Sequence, residues 1–244
     1  MRALHLINQT GGPAALFLPP LRERGFEVRD LDVTHEPLPG SMDGYDALLV
    51  CGGIANTHET DRYSWIEPEQ ALLAEALERS LPVMGLCLGA QQLVLAAGGA
   101  VYRAHSTEVG WFPVEVDPSA EADPVLAAMP RRFMSLQWHY YACELPQGAV
   151  EYARSPVCSQ AFRIGDSAWG TQFHIEVTRP ILADWGREGA EELAQHGYDA
   201  ARYERELDLY LPAHQAIGAE MGRRFADFAA ARAQPTGVSP SSTA

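Results

Sequence analysis

The segment VMGLCLGAQQLVLAAGG, from Val83 to Gly99, constrains the fold more than any other stretch of the chain. An apolar run leads into Cys87, and a run with helical spacing leads out of it. Gly85 and Gly89 stand two residues to either side of the cysteine. A thiol buried only for packing needs no glycine at those places. A sharp strand-to-helix turn does need them, because strand and helix then come so close that the flanking side chains must be tiny. In that setting Cys87 projects at a helix N-terminus, where aligned peptide dipoles and free N–H groups favour a thiolate. The N–H of Leu88 faces the same space and can hold an oxyanion. With GLCLG alone, a buried and inert cysteine in an ordinary turn stays open as the alternative.

Around this turn the pattern alternates. ALHLIN, Ala3 to Asn8, is a short apolar strand closed by Thr10-Gly11-Gly12-Pro13. Ala14 to Arg24 has helical spacing, and Phe26 to Leu31 alternates like a strand. YDALLVC, Tyr45 to Cys51, is almost continuously apolar, as a strand buried on both faces should be. Pro68 to Ser80 reads as a helix with proline at its start. Pro82 to Leu86 reads as the next strand, and Leu88 to Ala97 as the helix after it. This alternation implies a parallel sheet with helices on both sides.

After Gly99, short strands are expected at Val114 to Val116, Arg132 to Trp138, Val150 to Ala153, Ala161 to Ile164 and Ala168 to Phe173. They suggest an antiparallel section added to the same domain. Glu188 to Ala233 reads as helical, with breaks at Gly197 and Pro212, and QPTGVSPSSTA reads as a low-complexity, mobile tail. The expected fold class is α/β: a mostly parallel, flavodoxin-like sheet flanked by helices, with a small antiparallel section and a C-terminal helical extension. The expected organisation is a catalytic domain over residues 1–186, a helical extension packed on it over 187–233, and a flexible tail over 234–244.

Composition narrows the function classes. Apolar residues make up 47% of the chain, enough for a substantial core and too many for disorder. The formal net charge of −14 argues against nucleic acid or an anionic membrane as partner. No apolar run approaches the roughly 18 residues of a membrane span. The opening MRALHLINQTGG reads as strand and turn, without the apolar region or cleavage site of a signal peptide. Cys51, Cys87, Cys143 and Cys158 are scattered without a CxxC pair, so neither a zinc cage nor a disulfide framework is indicated. His58, His105 and His196 show no metal-ligand spacing. A cytoplasmic protein with reduced thiols, no metal and no cofactor is the expectation.

Context for Cys87 comes from TQFHIEV, Thr171 to Val177. A thiol nucleophile needs a base to take its proton and return it to the leaving nitrogen, and the base needs an orienting acceptor. His174 and Glu176 supply those types two residues apart, which puts both side chains on one face of an extended segment. A surface His-x-Glu is the alternative for that pair taken alone. The turn in VCGGI, Val50 to Ile54, is a third piece, since Gly52 and Gly53 let backbone N–H groups approach a ligand closely. In a parallel sheet, both glycine-rich turns lie in the crevice at the strand C-terminal ends.

These segments, in this order, resemble the class I (triad, G-type) glutamine amidotransferase family. The residues that carry the resemblance are CGGI, GLCLGAQQ and FHIEV, joined by RYSWIEPEQALL, AAGGAV, EVGWFPVEV and SLQWH. The likeness covers roughly Tyr45 to Thr178 and looks most like free-standing bacterial members described as the glutaminase part of GMP synthase. It implies that Cys87 attacks the γ-carboxamide of glutamine or a related γ-glutamyl amide. His174 then serves as base and acid, Glu176 orients it, and the N–H groups of Gly53 and Leu88 hold the oxyanion. A γ-glutamyl thioester forms, ammonia or an amine leaves, and water releases glutamate. By the same resemblance, Gln91 contacts the substrate beside Gly52. The segment Gln137, Trp138, His139, Tyr140 and Tyr141 handles the substrate's α-amino and carboxylate ends, with His139 more a structural partner than a second base.

Two departures stand out. Ile175 replaces the proline of the family's HPE, and QWHYY replaces QWHGD. The second adds bulk and removes a charge at Tyr140 and Tyr141, which reads either as drift in a surface loop or as a pocket reshaped for a larger amide. The chain shows no GxxxxGK[ST] loop, so any synthetase that consumes the ammonia would be a separate chain. Two enzyme readings follow: a hydrolase of γ-glutamyl amides, or an ammonia-supplying subunit of a separate synthetase. A non-catalytic regulatory subunit is a third, and a homodimer is a further candidate assembly.

Overall fold

The computed structural model of the protein describes residues 1–233. The expected tail, residues 234–244, lies outside the described residues. The first half alternates as its apolar pattern predicts. Strands β1 (Arg2–Ile7), β2 (Glu27–Asp32), β3 (Ala47–Val50) and β4 (Val83–Leu86) are interleaved with helices α1 (Leu18–Glu23), α2 (Ile66–Glu78) and α3 (Leu88–Ala96). The second half supplies β5 (Ala100–Val116), β6 (Arg132–Glu144), β7 (Val150–Arg154), β8 (Ser159–Ile164) and β9 (Ala168–Thr171), then α4 (Arg179–Glu188), α5 (Ala190–Gln195) and α6 (Ala200–Ala233). Among the described residues these strands form one nine-stranded sheet in the order β2-β1-β3-β4-β9-β8-β7-β5-β6. The strands β2, β1, β3, β4 and β9 run parallel, and from β9 outward every pairing is antiparallel. The fold is α/β with a mixed sheet, an antiparallel section and a C-terminal helix.

Every residue of β3 and β4 is buried, which is why both read as unbroken apolar runs. One apolar cluster joins α1 and α6 to one side of the sheet through Phe17, Leu21, Trp169, Met221 and Phe225. A second joins α2 and α3 to the other side through Leu48, Val50, Leu72, Leu73, Leu88 and Leu93.

Several boundaries differ from the expectation, each for a physical reason. Helix α1 starts at Leu18 rather than Ala14, because Pro19 and Pro20 lack the N–H that a helix interior requires and are tolerated only in its first turn. Strands β5 and β6 extend far beyond Val114 to Val116 and Arg132 to Trp138, and pair with each other over most of their length. Their outer halves carry polar residues such as Arg103, His105 and Glu144, so backbone pairing rather than apolar alternation defines them. Helix α6 runs through Pro212 without a break. Pro212 lies on the solvent face, where the carbonyl of Asp208 that loses its partner can turn to water. The break near Gly197 does occur, with φ +78° at that glycine between α5 and α6.

Candidate active site

The turn between β4 and α3 is as tight as the two glycines require. Cys87 takes φ 51° and ψ −105°, a positive-φ conformation that costs a non-glycine residue of order 1–3 kcal/mol. A methyl group on Gly85 would lie 2.7 Å from the Gly89 carbonyl oxygen, and one on Gly89 would overlap the Val50 carbonyl. Two backbone bonds hold the strained turn. The Cys87 N–H donates to Thr171 O on β9 at 2.7 Å, and the Gly89 N–H donates to Cys51 O at 3.2 Å. The second bond ties the elbow to the Gly52-Gly53 turn. That turn is braced from behind by Asn8, whose side-chain amide donates to Cys51 O and to Glu69 Oε1, both at 3.1 Å. A methyl on Gly53 would stand 2.9 Å from Asn8 O, so this turn too admits only glycine.

His174 and Glu176 lie just past the end of β9, on irregular backbone rather than on the strand that the spacing suggests. The pair still forms: His174 Nδ1 and Glu176 Oε1 are 2.8 Å apart, and both residues are buried. With Nδ1 occupied, Nε2 is the nitrogen left for the thiol. The segment is fixed by the His174 N–H donating to Leu136 O and the Leu16 N–H donating to Glu176 O, each at 3.0 Å. Ile175, where the family pattern has proline, is fully buried in the core cluster, and α6 presses on its carbonyl at Gly218.

Cys87 and His174 meet over Gly52. A methyl placed there would lie 2.7 Å from His174 Cε1 and 3.3 Å from Cys87 Cβ. Burial opposes a charge on His174, but the facing sulfur of Cys87 and the Glu176 carboxylate outweigh it and push the imidazole up to about 10. Trp185 of α4 closes over the imidazole, with ring centroids 4.9 Å apart and planes at 81°. Near the sulfur, the Gln172 amide donates toward Sγ at 3.6 Å and accepts from Gln91 Nε2 at 3.1 Å.

A cavity of about 430 Å³ opens over Cys87. Most of the expected site residues line it: Gly52, Gly53, Leu88, Gln91, Trp138, His139, Tyr140, Tyr141, His174 and Glu176. Gln137 does not, which corrects its expected place at the substrate. It is fully buried, and its amide donates to Gln160 Oε1 at 2.8 Å. Gln137 lies on β6 just before the cavity-lining stretch Trp138 to Tyr141, and its side chain is spent inside the protein on Gln160 instead. His139 reaches the cavity, but its ring is committed elsewhere. Nδ1 donates to Tyr141 O at 3.0 Å, and Nε2 lies 3.1 Å from Glu108 Oε2. Four residues escaped the sequence reading. Gln172 stands two positions before His174 and could have been found from that spacing. Trp185, Glu188 and Glu192 reach the cavity from α4 and α5, and no motif marks them.

Glu108, His139 and Cys158 bring one donor atom each within 4.8 Å of one another behind β6. Much of the cluster is already hydrogen-bonded within the protein, although Glu108 Oε1 and His139 Nε2 have no hydrogen-bond partner among the described residues. Gln160 Nε2 donates to Glu108 Oε2 at 2.9 Å and to Cys158 Sγ at 3.4 Å, and the Ser155 hydroxyl donates to Glu108 Oε2 at 3.0 Å. The cluster reads as a hydrogen-bonded brace for the segment that carries Trp138 to Tyr141. The four cysteines are free thiols and all are buried. Among the described residues, no helix is long and apolar enough to cross a membrane.

A family model described as glutamine amidotransferase class-I matches residues 16–180. A glutamine amidotransferase-like protein of Salmonella typhimurium is 28% identical over 199 residues, which cover 80% of this chain and 83% of that protein. A glutamine-hydrolyzing GMP synthase subunit from Methanoculleus marisnigri is 30% identical, over 74% of this chain and 92% of its own. Among solved structures, a glutamine amidotransferase from Thermotoga maritima superposes with a TM-score of 0.82 at 25% identity, covering 93% of this chain and 98% of that one.

Proposed function

The chain belongs to the class I glutamine amidotransferase family, and from that premise we propose that it hydrolyses a γ-glutamyl amide through a thioester on Cys87. In the first half-reaction His174 Nε2 takes the Cys87 proton. The sulfur bonds to the amide carbon, and the carbonyl oxygen becomes an oxyanion against the N–H groups of Gly53 and Leu88. The C–N bond breaks as His174 returns the proton to the departing nitrogen, and ammonia or an amine leaves. In the second half-reaction His174 takes a proton from water, the resulting hydroxide adds to the thioester carbon, and the S–C bond breaks. The proton returns to sulfur and glutamate is released. Glu176 keeps Nδ1 protonated and stabilises the imidazolium in both halves.

The observation that carries this reading is the meeting of Cys87 and His174 over Gly52, with Glu176 2.8 Å behind the imidazole. A strained cysteine beside a positively biased histidine is the arrangement an activated thiol needs. The brace from Gln91 to Gln172 and the indole wall at Trp185 support the same reading. Incubating the purified chain with glutamine and with γ-glutamyl amides, and measuring glutamate, tests it. Glutamate release by the native chain and none by Cys87→Ala is the expected result.

A second reading is favoured by the likeness to a glutamine-hydrolyzing subunit of GMP synthase. Here the same chemistry supplies ammonia to a synthetase on another chain. Glutamine turnover that stays negligible until such a synthetase is added supports it over free-standing hydrolysis.

A further inference from the structure

The proposed mechanism fixes where a leaving amine must sit. His174 supplies its proton, so the departing nitrogen lies in front of the imidazole. Any substituent on that nitrogen must then run along whatever flanks His174. The flank is built by α4 and α5. Trp185 stands edge-on to the imidazole, and Glu188 and Glu192 line the cavity from the same pair of helices. Packed against them are Trp138, whose ring meets that of Trp185 edge to face with centroids 6.3 Å apart, and Tyr140, whose hydroxyl donates to Glu192. Along this passage the cavity wall is therefore aromatic, with the carboxylates of Glu188 and Glu192 beside it.

Its charge is one-sided. Among the described residues that line the cavity there is no arginine, and the sequence contains no lysine. The guanidinium of Arg103 stacks on Tyr140 and Tyr141, at 4.9 and 5.6 Å from their centroids, without lining the cavity. Glu192 Oε1 accepts from the Tyr140 hydroxyl, and Glu188 has no hydrogen-bonded or ion-pair partner among the described residues. Deeper in, Glu176 Oε2 is a buried carboxylate oxygen with no donor. The carboxylates of Glu188 and Glu192 thus border a space whose described lining holds no arginine or lysine.

We propose that this passage is a subsite for a leaving amine that carries a second, positively charged nitrogen on an apolar stem. The inference rests on the hydrolase reading and adds the chemical class of the leaving group. The stem lies along the indoles of Trp185 and Trp138 and the ring of Tyr140, whose faces accept both methylenes and a cation. The distal ammonium donates to Glu188 and Glu192, as charge-assisted hydrogen bonds require. The net charge of −14 draws such a substrate in at long range. Tyr140 and Tyr141, which depart from the family's QWHGD, help to wall this passage.

The test compares three amides of equal length on the purified chain: γ-glutamyl-aminobutylamide, which is cationic, γ-glutamyl-pentylamide, which is neutral, and γ-glutamyl-carboxypropylamide, which is anionic. The expected kcat/KM for the cationic amide exceeds that for the neutral one by about tenfold, the scale of one charge-assisted bond, and the anionic amide is poorest. Glu188→Gln and Glu192→Gln each lower the cationic-to-neutral ratio, and the double variant brings it close to one. Glu192→Gln keeps an acceptor for Tyr140, and Glu188 is exposed, so both variants should fold. Equal or better turnover of the neutral or anionic amide overturns the subsite and leaves the hydrolase reading standing. So does a cationic preference that survives in the double variant. No glutamate from any of the three amides or from glutamine overturns the hydrolase reading, and the subsite with it.

Discussion

The imidazole of His174 and the side chain of Cys87 face each other across Gly52, with no room for even one methyl group between them. Eighty-seven positions apart in sequence, they are joined because β4 and β9 are parallel neighbours in the sheet. The elbow after β4 and the irregular segment after β9 therefore leave the sheet at the same edge. The Gly52-Gly53 turn after β3, the neighbour of β4 on its other side, completes the group. Three consecutive strands of the sheet order thus deliver Cys87, His174 and the Gly52-Gly53 turn to one crevice.

The tightness at Gly52 gives a first prediction. In Gly52→Ala the new methyl would stand 2.7 Å from His174 Cε1, so the imidazole must shift. Displacements of that kind cost about a hundredfold in rate. Steady-state assays should show kcat/KM down by that order, with the circular dichroism spectrum retained. Full activity in Gly52→Ala would mean that the imidazole has no fixed place over the turn.

Glu176 gives the second. The facing sulfur and the Glu176 carboxylate raise His174 to about 10, against the burial that would lower it. A raised value means that the imidazole, once it has taken the Cys87 proton, keeps it for the leaving nitrogen well above neutral pH. The alkaline limb of kcat/KM should therefore lie high, and Glu176→Gln should move it toward neutral pH while lowering the maximum by about a hundredfold. The limb belongs to the coupled Cys87–His174 pair rather than to one residue. A pH profile that keeps its alkaline limb in Glu176→Gln contradicts the orienting role.

Much of this site was legible before the structure. Gly85 and Gly89 announced a turn so close that Cβ atoms would overlap backbone, and close contact is local enough for sequence spacing to encode it. The offset of two between His174 and Glu176 was equally informative, although the segment proved irregular rather than a strand. Gln137 was misplaced because its amide pairs with Gln160, a residue 23 positions away on β8, and nothing local in SLQWH marks that partner. Trp185, Glu188 and Glu192 were invisible for a related reason. They reach the cavity only because α4 and α5 fold back beside Trp138, and nothing local in WGREGAEEL marks that docking. The outer halves of β5 and β6 lacked apolar alternation, so their pairing could not be read from composition.

Glu69 gives a third prediction, about stability. It is fully buried behind the Gly52-Gly53 turn, and burial pushes its carboxyl up to about 8, with the Asn8 amide drawing it partly back. In the unfolded chain the group ionises near pH 4.5. Folded protein thus holds a proton that unfolded protein releases, and this group costs stability progressively as pH rises from about 4.5 to about 8. Urea denaturation of Glu69→Gln, which keeps an acceptor for Asn8, should lose less stability than the native chain between pH 5 and pH 8. The difference should reach a few kcal/mol, on the order of 1.4 kcal/mol per pKa unit. Parallel pH dependence in the two proteins would show that Glu69 is ionised in the folded state.

The most direct test of the central claim is an acid quench during turnover, followed by peptide mass spectrometry. Run on the native chain with glutamine or a γ-glutamyl amide, it should find one γ-glutamyl group on the peptide that contains Cys87. The adduct should accumulate further in Glu176→Gln if thioester hydrolysis is the step slowed more. Cys87→Ala should carry no adduct and release no glutamate. Glutamate release that continues in Cys87→Ala, or an adduct carried by Cys51, Cys143 or Cys158 instead, would contradict the account.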